Sequence, residues 1–278
     1  MAYIPINIDE AVKRECERRR YSPRTIETYL SCIRKFLEYS GKGLDKIGKK
    51  EAREFLEHLS ERKLAGSSLN VYHMAIRFLL EDILHKKMKL NIKYSRVPEK
   101  LPRVLTKEEV KKLLGKIENW KHKLMIELMY SAGLRVSEVI NLKVGELELE
   151  KNYGFVRQGK GNKDRMFILA NIVGEKMKNL IELERLAKDN FLFRTNKNEK
   201  YSDRSLQQIV KRASDLADLK GVHCHTLRHS FATHLIENGY SVADVQTLLG
   251  HKSPETTFVY LHTATPNMIK VKSPFESL

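Results

Sequence analysis

The sequence predicts a mainly α-helical protein with a small antiparallel sheet, arranged as two domains. Three observations carry this reading. Apolar residues recur at helical spacing in four separate stretches of residues 8 to 86. Periodicity then fails between residues 87 and 104, where Pro98 and Pro102 fall among cations. Beyond residue 105 helical stripes return, interrupted once by short strand-like runs around a glycine-containing turn at Gly159 to Asp164. At 278 residues the chain suits two domains of ordinary size, each burying its own core.

Residues 1–86 form the first domain. Ile8, Val12 and Cys16 mark its first helix. Ser22 caps the second, with Pro23 in its first turn, an apolar face of Ile26, Tyr29, Leu30, Ile33 and Leu37, and Gly41 and Gly43 as the stop. Ala52, Phe55, Leu56 and Leu59 give a third stripe, and Tyr72, Ile76, Leu79, Leu80 and Ile83 a fourth. The outer faces carry Arg24, Arg34, Lys35, Arg53, Arg62, Lys63 and Arg77, which are candidates for phosphate contacts. Residues 87–104 read as a basic linker, because seven cations between Lys86 and Arg103, Lys93 and Arg96 among them, face the single acid Glu99.

The second domain spans residues 105–278. Thr106 and Glu109 form a capping box, and helices are predicted at about 107–116 and 121–132, with Gly133 as the stop, so Arg135 directly follows a helix break. Leu147 and Leu149, then Tyr153, Phe155 and Arg157, then Met166, Ile168 and Leu169 suggest the small sheet, whose turn carries Lys160. Helices at about 172–186 and 202–217 lead to three short ones. Thr226 caps the first, which stops before Gly239; Ser241 with Asp244 caps the second, which stops at Gly250; Ser253-Pro254 opens the third, which carries Tyr260. In the tail that follows, Pro274 limits any helix started at Thr265-Pro266 to about two turns.

The formal net charge is +16, and both domains contribute: 23 basic against 14 acidic side chains up to residue 104, and 28 against 21 after it. A phosphate polyanion touched by both parts explains this more directly than one basic tail, although charge that merely aids solubility would look the same. Three cysteines, Cys16, Cys32 and Cys224, at wide spacing indicate neither a disulfide frame nor a paired-cysteine zinc site, and a reducing cytoplasm is the expected setting. No apolar run is long enough to cross a bilayer, and Met1-Ala2-Tyr3-Ile4-Pro5 does not read as a signal sequence.

The residues that carry chemistry cluster in the last quarter. His225 and Arg228 lie three apart at the mouth of a helix, where free N–H groups favour an anion. Taken singly these are ordinary residues, since arginines are usually solvated. Two further stretches change the odds: Ser131-Ala132-Gly133-Leu134-Arg135-Val136-Ser137-Glu138, and Gly159-Lys160-Gly161-Asn162-Lys163-Asp164-Arg165. With His225-Thr226-Leu227-Arg228, His251 and Tyr260 they resemble the tyrosine recombinase (phage integrase) family. The resemblance runs from about residue 105 to 262, and more weakly over Tyr21 to Tyr29, which looks like the start of a DNA-clasping helix in the Xer branch.

The resemblance implies a catalytic set of Arg135, Lys160, His225, Arg228, His251 and Tyr260, with Glu138 as a supporting acid. It also implies a four-helix DNA-clasping domain ahead of the catalytic domain, a covalent 3′-phosphotyrosine intermediate, and no metal or nucleotide cofactor. The implied partner is double-stranded DNA with an inverted-repeat site, held by a tetramer on two DNA sites whose protomers exchange tails. Arg24, Arg34, Lys35, Arg77, Lys93 and Arg96 are the candidate DNA contacts. Within the family the compact length favours Xer-type resolution of chromosome dimers; a mobile-element integrase, or a DNA-binding regulator without activity, are the alternatives.

The residue types suit that chemistry. A phosphodiester repels nucleophiles, and its non-bridging oxygens gain charge at the transition state, so Arg135 and Arg228 would supply permanent charge and forked donors. His251 can donate a further hydrogen bond. A tyrosine hydroxyl with a pKa of about 10 is scarcely ionised at neutral pH, so Tyr260 needs a base, for which His225 is the candidate, and the leaving oxygen needs an acid, for which Lys160 is the mobile candidate. Glu138 reads equally as a helix-surface acid or as a group orienting Arg135. A metal site is the rival reading of the crowded His223, Cys224, His225, His229 and His234, but the pair His225 and His229 lacks the intervening acid of a His-Glu-x-x-His site, so His229 and His234 are expected to be structural.

Overall fold

The structure, a computed structural model, describes residues 7–87, 89–96, 101–157, 164–250 and 257. It divides into two compact units, Met1–Glu99 and Lys100–Leu278.

In the first unit the four apolar stripes become four helices, α1 (Ile8–Arg18), α2 (Pro23–Ser40), α3 (Lys49–Glu61) and α4 (Gly66–Arg77). The Thr25 N–H donates to Ser22 Oγ at 3.1 Å, Pro23 occupies the first turn of α2, and Gly41 ends that helix at φ 58°. Ile33 and Phe36 of α2 meet Phe55 of α3 and Ile76 of α4 in the core. The helix α4 passes without a break into a π-helical turn, Phe78–Ile83, which buries Phe78, Leu79 and Leu80. The unit also continues past residue 86. Leu90 is buried in the same core, its N–H donates to the Glu81 carboxylate at 2.8 Å, and Asn70 exchanges two hydrogen bonds with the Ser95 backbone at 3.0 and 2.8 Å. Residues 89–96 are therefore fastened to the first unit, although the sequence assigns them to a linker. Their anchors are side chains on α4 and the π-helical turn, which no local pattern in the basic segment announces.

The second unit contains α5 (Lys107–Gly115), α6 (Trp120–Ala132), α7 (Val136–Asn141), β1 (Leu147–Glu148), β2 (Tyr153–Val156), β3 (Arg165–Ile168), α8 (Asn171–Leu183), α9 (Asp203–Leu216), α10 (Cys224–Glu237) and α11 (Val242–Leu249). The sheet is antiparallel in the order β1-β2-β3, with Tyr153 opposite Ile168 and Val156 opposite Arg165. At the centre lies α6, whose Leu124, Met125, Ile126, Leu128 and Met129 are all inaccessible, as expected of a helix covered on most sides. It ends at Gly133 with φ 61°, where a side chain would also strike the Phe231 ring at 2.4 Å. The unit's entry is pinned to α10, because Ser230 Oγ accepts the Leu105 N–H at 2.8 Å.

One cap differs from the sequence reading. The helix α10 starts at Cys224 with His223 as its N-cap, and Thr226 is its third residue. The Thr226 hydroxyl accepts the His223 N–H at 3.2 Å, doing from inside the helix what a glutamate does in a capping box. The Ser241 and Asp244 pair does cap α11, with reciprocal bonds of 3.1 and 3.2 Å, and Gly250 ends that helix at φ 63°. The third short helix and the tail lie outside the described residues, apart from Thr257, which is helical and buried.

Candidate active site

Three segments of the second unit, α7, β3 and α10, meet around one carboxylate. The break after α6 makes Arg135 the N-cap of α7, and that places Glu138 in the first turn. The Arg135 N–H donates to Glu138 Oε2 at 2.8 Å, and its guanidinium Nη1 to Oε1 at 2.7 Å. A single side chain thus fixes both the backbone and the charged end of Arg135. Glu138 is no surface acid: its side chain is only 4% exposed. Arg165, the first residue of β3, donates from Nη2 to Glu138 Oε2 at 2.6 Å and is itself 9% exposed.

Arg228 reaches the same place from the first half of α10. Its Nη1 donates to the Gly133 carbonyl and its Nη2 to the Leu249 carbonyl, each at 2.6 Å, while Nη1 stands 3.9 Å from Glu138 Oε2. Gly133 and Leu249 end α6 and α11, where carbonyls have no partner within the helix and the dipole is negative. A guanidinium satisfies both ends at once, which accounts for an arginine that is only 3% exposed.

Burial alone would raise the Glu138 carboxyl, but Arg165, the Arg135 N–H, and the Arg135 and Arg228 guanidiniums outweigh it and hold it below the usual carboxylate range. Burial lowers the Arg165 guanidinium, and Glu138 offsets part of that. Three guanidiniums around one carboxylate leave the cluster with excess positive charge and forked donors, the arrangement that holds a phosphate.

His225 stands exposed in the first turn of α10, its ring 6.4 Å from those of both His223 and His229. His229 is pushed down to about 4 by burial, reinforced by His225, His223 and Arg228, so it is neutral at pH 7. His234 bonds the Tyr130 hydroxyl at 2.8 Å, a packing role. Among the described residues, no group of three or more His, Cys, Asp or Glu side chains could hold a metal ion.

The structure therefore brings together Arg135, Glu138 and Arg228 of the sequence-predicted set, with His225 close by on α10. Lys160, His251 and Tyr260 lie outside the described residues. The sequence reading assigns no role to Arg165, because an arginine opening a strand looks solvated until its buried partner is known. In the first unit Arg24, Arg34, Lys35, Arg77, Lys93 and Arg96 are all exposed. Arg34 pairs with Asp9, and Arg77 lies 3.4 Å from the Tyr94 hydroxyl.

Residues 103–266, more than half of the chain, match the phage integrase family. The chain belongs to this family of tyrosine recombinases. It is a DNA breaking and rejoining enzyme, with tyrosine site-specific recombinase activity. Residues 9–90 match the phage integrase N-terminal SAM-like domain, in keeping with the four helices of the first unit. The chain is similar to the tyrosine recombinase XerA of Thermococcus kodakarensis, at 35% identity over 90% of this chain and 89% of that one. It is also similar to the putative integrase/recombinase y4qK of Sinorhizobium fredii, at 34% identity over 94% of this chain and 85% of the relative. Among solved structures it is similar to XerH site-specific recombinase bound to palindromic difH substrate, a post-cleavage complex, with 26% identity, a TM-score of 0.73, and coverage of 96% of this chain and 85% of that one. No helix among the described residues is long and apolar enough to cross a membrane.

Proposed function

We propose that this tyrosine recombinase uses Arg135 and Arg228 as a phosphate clamp, Tyr260 as nucleophile and Lys160, His225 and His251 as its proton-handling and hydrogen-bonding partners, at an inverted-repeat site of the Xer type. The observation that carries the clamp is the convergence of Arg135 and Arg228 on the buried Glu138, from α7 and α10. The Tyr260 oxygen forms a bond to phosphorus while the bond from phosphorus to the 5′ oxygen breaks. His225 takes the phenolic proton, and Lys160 gives one to the departing oxygen. The product is a 3′-phosphotyrosine and a free 5′-hydroxyl. The phosphodiester energy stays in the new bond, so a 5′-hydroxyl from another strand reverses the step and joins new ends. Neither oxidation nor an added cofactor enters this balance.

The first unit adds affinity through Arg24, Arg34, Lys35, Arg77, Lys93 and Arg96, all exposed cations on a DNA-clasping domain. Four protomers on two DNA sites, coupled by exchange of the tail after residue 263, complete the assembly. Likeness to XerA over 90% of the chain supports chromosome-dimer resolution. Likeness to y4qK supports the second reading, a mobile-element integrase with the same chemistry. The decisive experiment for the site is Tyr260→Phe on a nicked inverted-repeat substrate: the variant binds the DNA and forms no covalent adduct. A normal adduct from that variant would move the nucleophile elsewhere, with Tyr240 the first alternative.

A further inference from the structure

The Arg165 side chain is the one element of the cluster that the proposed reaction leaves without a task. It is 9% exposed, it gives one hydrogen bond to Glu138 Oε2, and its Nε and Nη1 are buried without a hydrogen-bond partner among the described residues. Its stem lies against the end of α11 so tightly that a Cβ at Gly250 would come 2.6 Å from Arg165 Cδ and 3.1 Å from Nε. Stability alone does not explain such a residue. Buried ion pairs replaced by apolar side chains of similar volume are often neutral or more stable, and a buried N–H without a partner is itself destabilising.

Position explains it better. Glu138 Oε2 accepts the Arg135 N–H and Arg165 Nη2, at 2.8 and 2.6 Å, while Arg228 Nη1 stands 3.9 Å from the same oxygen. Arg228 instead gives short bonds to the Gly133 and Leu249 carbonyls. Without Arg165, that oxygen loses its guanidinium partner, and the buried carboxylate would draw on Arg228, 3.9 Å away, and pull it off those carbonyls. Charge works in the same direction: with Arg165 the carboxylate orients Arg135 without cancelling the positive excess that a phosphate needs. We propose that Arg165 is a positioning residue of the phosphate clamp, occupying one oxygen of Glu138 so that Arg135 and Arg228 keep their places and their charge. The proposal rests on the reading of Arg135 and Arg228 as that clamp.

The test compares Arg165→Met and Arg165→Lys with the wild-type full chain in three measurements: thermal unfolding, affinity for a half-site duplex, and single-turnover cleavage of a nicked substrate across pH 4.5 to 8. The expected result for Arg165→Met is a cleavage rate about 10- to 100-fold lower, the usual cost of losing an outer partner that orients a functional group, with half-site affinity nearly unchanged. Arg165→Lys, which restores a charge, recovers part of the rate. Glu138 has also lost a cation that keeps it ionised among Arg135 and Arg228, so toward pH 4.5, below the limb that His225 sets as base, the Arg165→Met rate falls further than that of wild type. A residue that served only folding would lower the rate equally at every pH and lower affinity in step. Equal defects in both variants, or cleavage at the wild-type rate, overturns the proposal. Should Arg165→Met fail to fold, Arg165→Lys against wild type decides: a slower cleavage with unchanged affinity supports it, and parallel losses sink it. Failure of the wild-type protein to form any covalent adduct would instead refute the functional reading itself.

Discussion

Replacing Glu138 with glutamine keeps its volume and removes its charge, which isolates what the carboxylate does for the second unit. In the folded protein this side chain is 4% exposed and faces Arg135 at 2.7 Å, Arg165 at 2.6 Å and Arg228 at 3.9 Å. Two of those guanidiniums are themselves buried, so neither water nor salt can replace the lost counter-charge. Removing one partner of a buried pair costs about 3–5 kcal/mol, and the remaining amide oxygen still accepts one bond, which argues for about 3 kcal/mol here. For a domain of this size each kcal/mol moves the midpoint by about 2–4 °C, giving a fall of about 6–12 °C at pH 7. Thermal unfolding followed by circular dichroism reads this directly. The sign of its pH dependence is fixed. The folded carboxyl lies below its ordinary value of 4.5, so its stabilisation is fully present above 4.5 and is lost as pH falls through the lower folded value. The gap between wild type and Glu138→Gln must therefore be full at pH 7 and narrow below pH 4.5. A deficit under about 1 kcal/mol at pH 7, the scale of an exposed ion pair, or one that stays constant into acid would refute the account of Glu138 as a buried counter-ion.

Two other outcomes follow from the same structure. His229 is held neutral, so nuclear magnetic resonance titration of its ring should show a midpoint near 4, and a midpoint above 6 would mean that the ring is solvated. Removing residues 1–99 takes away a whole basic unit, so DNA binding should weaken and its salt dependence should become shallower, by about one unit of slope for each phosphate that the shortened protein no longer neutralises; an unchanged slope would confine binding to the second unit.

Much of the fold is legible because its punctuation is local. Ser22-Pro23, Thr106 with Glu109, Gly133, Ser241 with Asp244, and Gly250 act on the nearest turn of chain, and each starts or stops a helix where the sequence predicts it. Thr226 is misread because a threonine hydroxyl serves equally as a cap or as the third residue reaching back to one. The six residues of α7 are too few to display a period, and the π-helical turn keeps the same apolar stripe as the helix it extends. The reach of the first unit to residue 96 depends on Asn70 and Glu81, held elsewhere in the chain. In the site, Arg135 and Arg228 stand out by motif, whereas the burial of Glu138 and the part played by Arg165 depend on an ion pair that spans 27 residues of sequence.

The bonds that seat Arg228 have a consequence for how DNA-breaking ability arises during synthesis. One acceptor, the Gly133 carbonyl, lies 95 residues earlier in the chain, and the other, at Leu249, lies 21 residues later. Both are terminal carbonyls of helices, and they face a guanidinium only when α6 and α11 are formed and packed on α10. A ribosome that has released Arg135, Glu138 and even Arg228 has not yet supplied the second seat. The seat of Arg228 therefore exists only in a finished second unit, and so would the proposed clamp that depends on it.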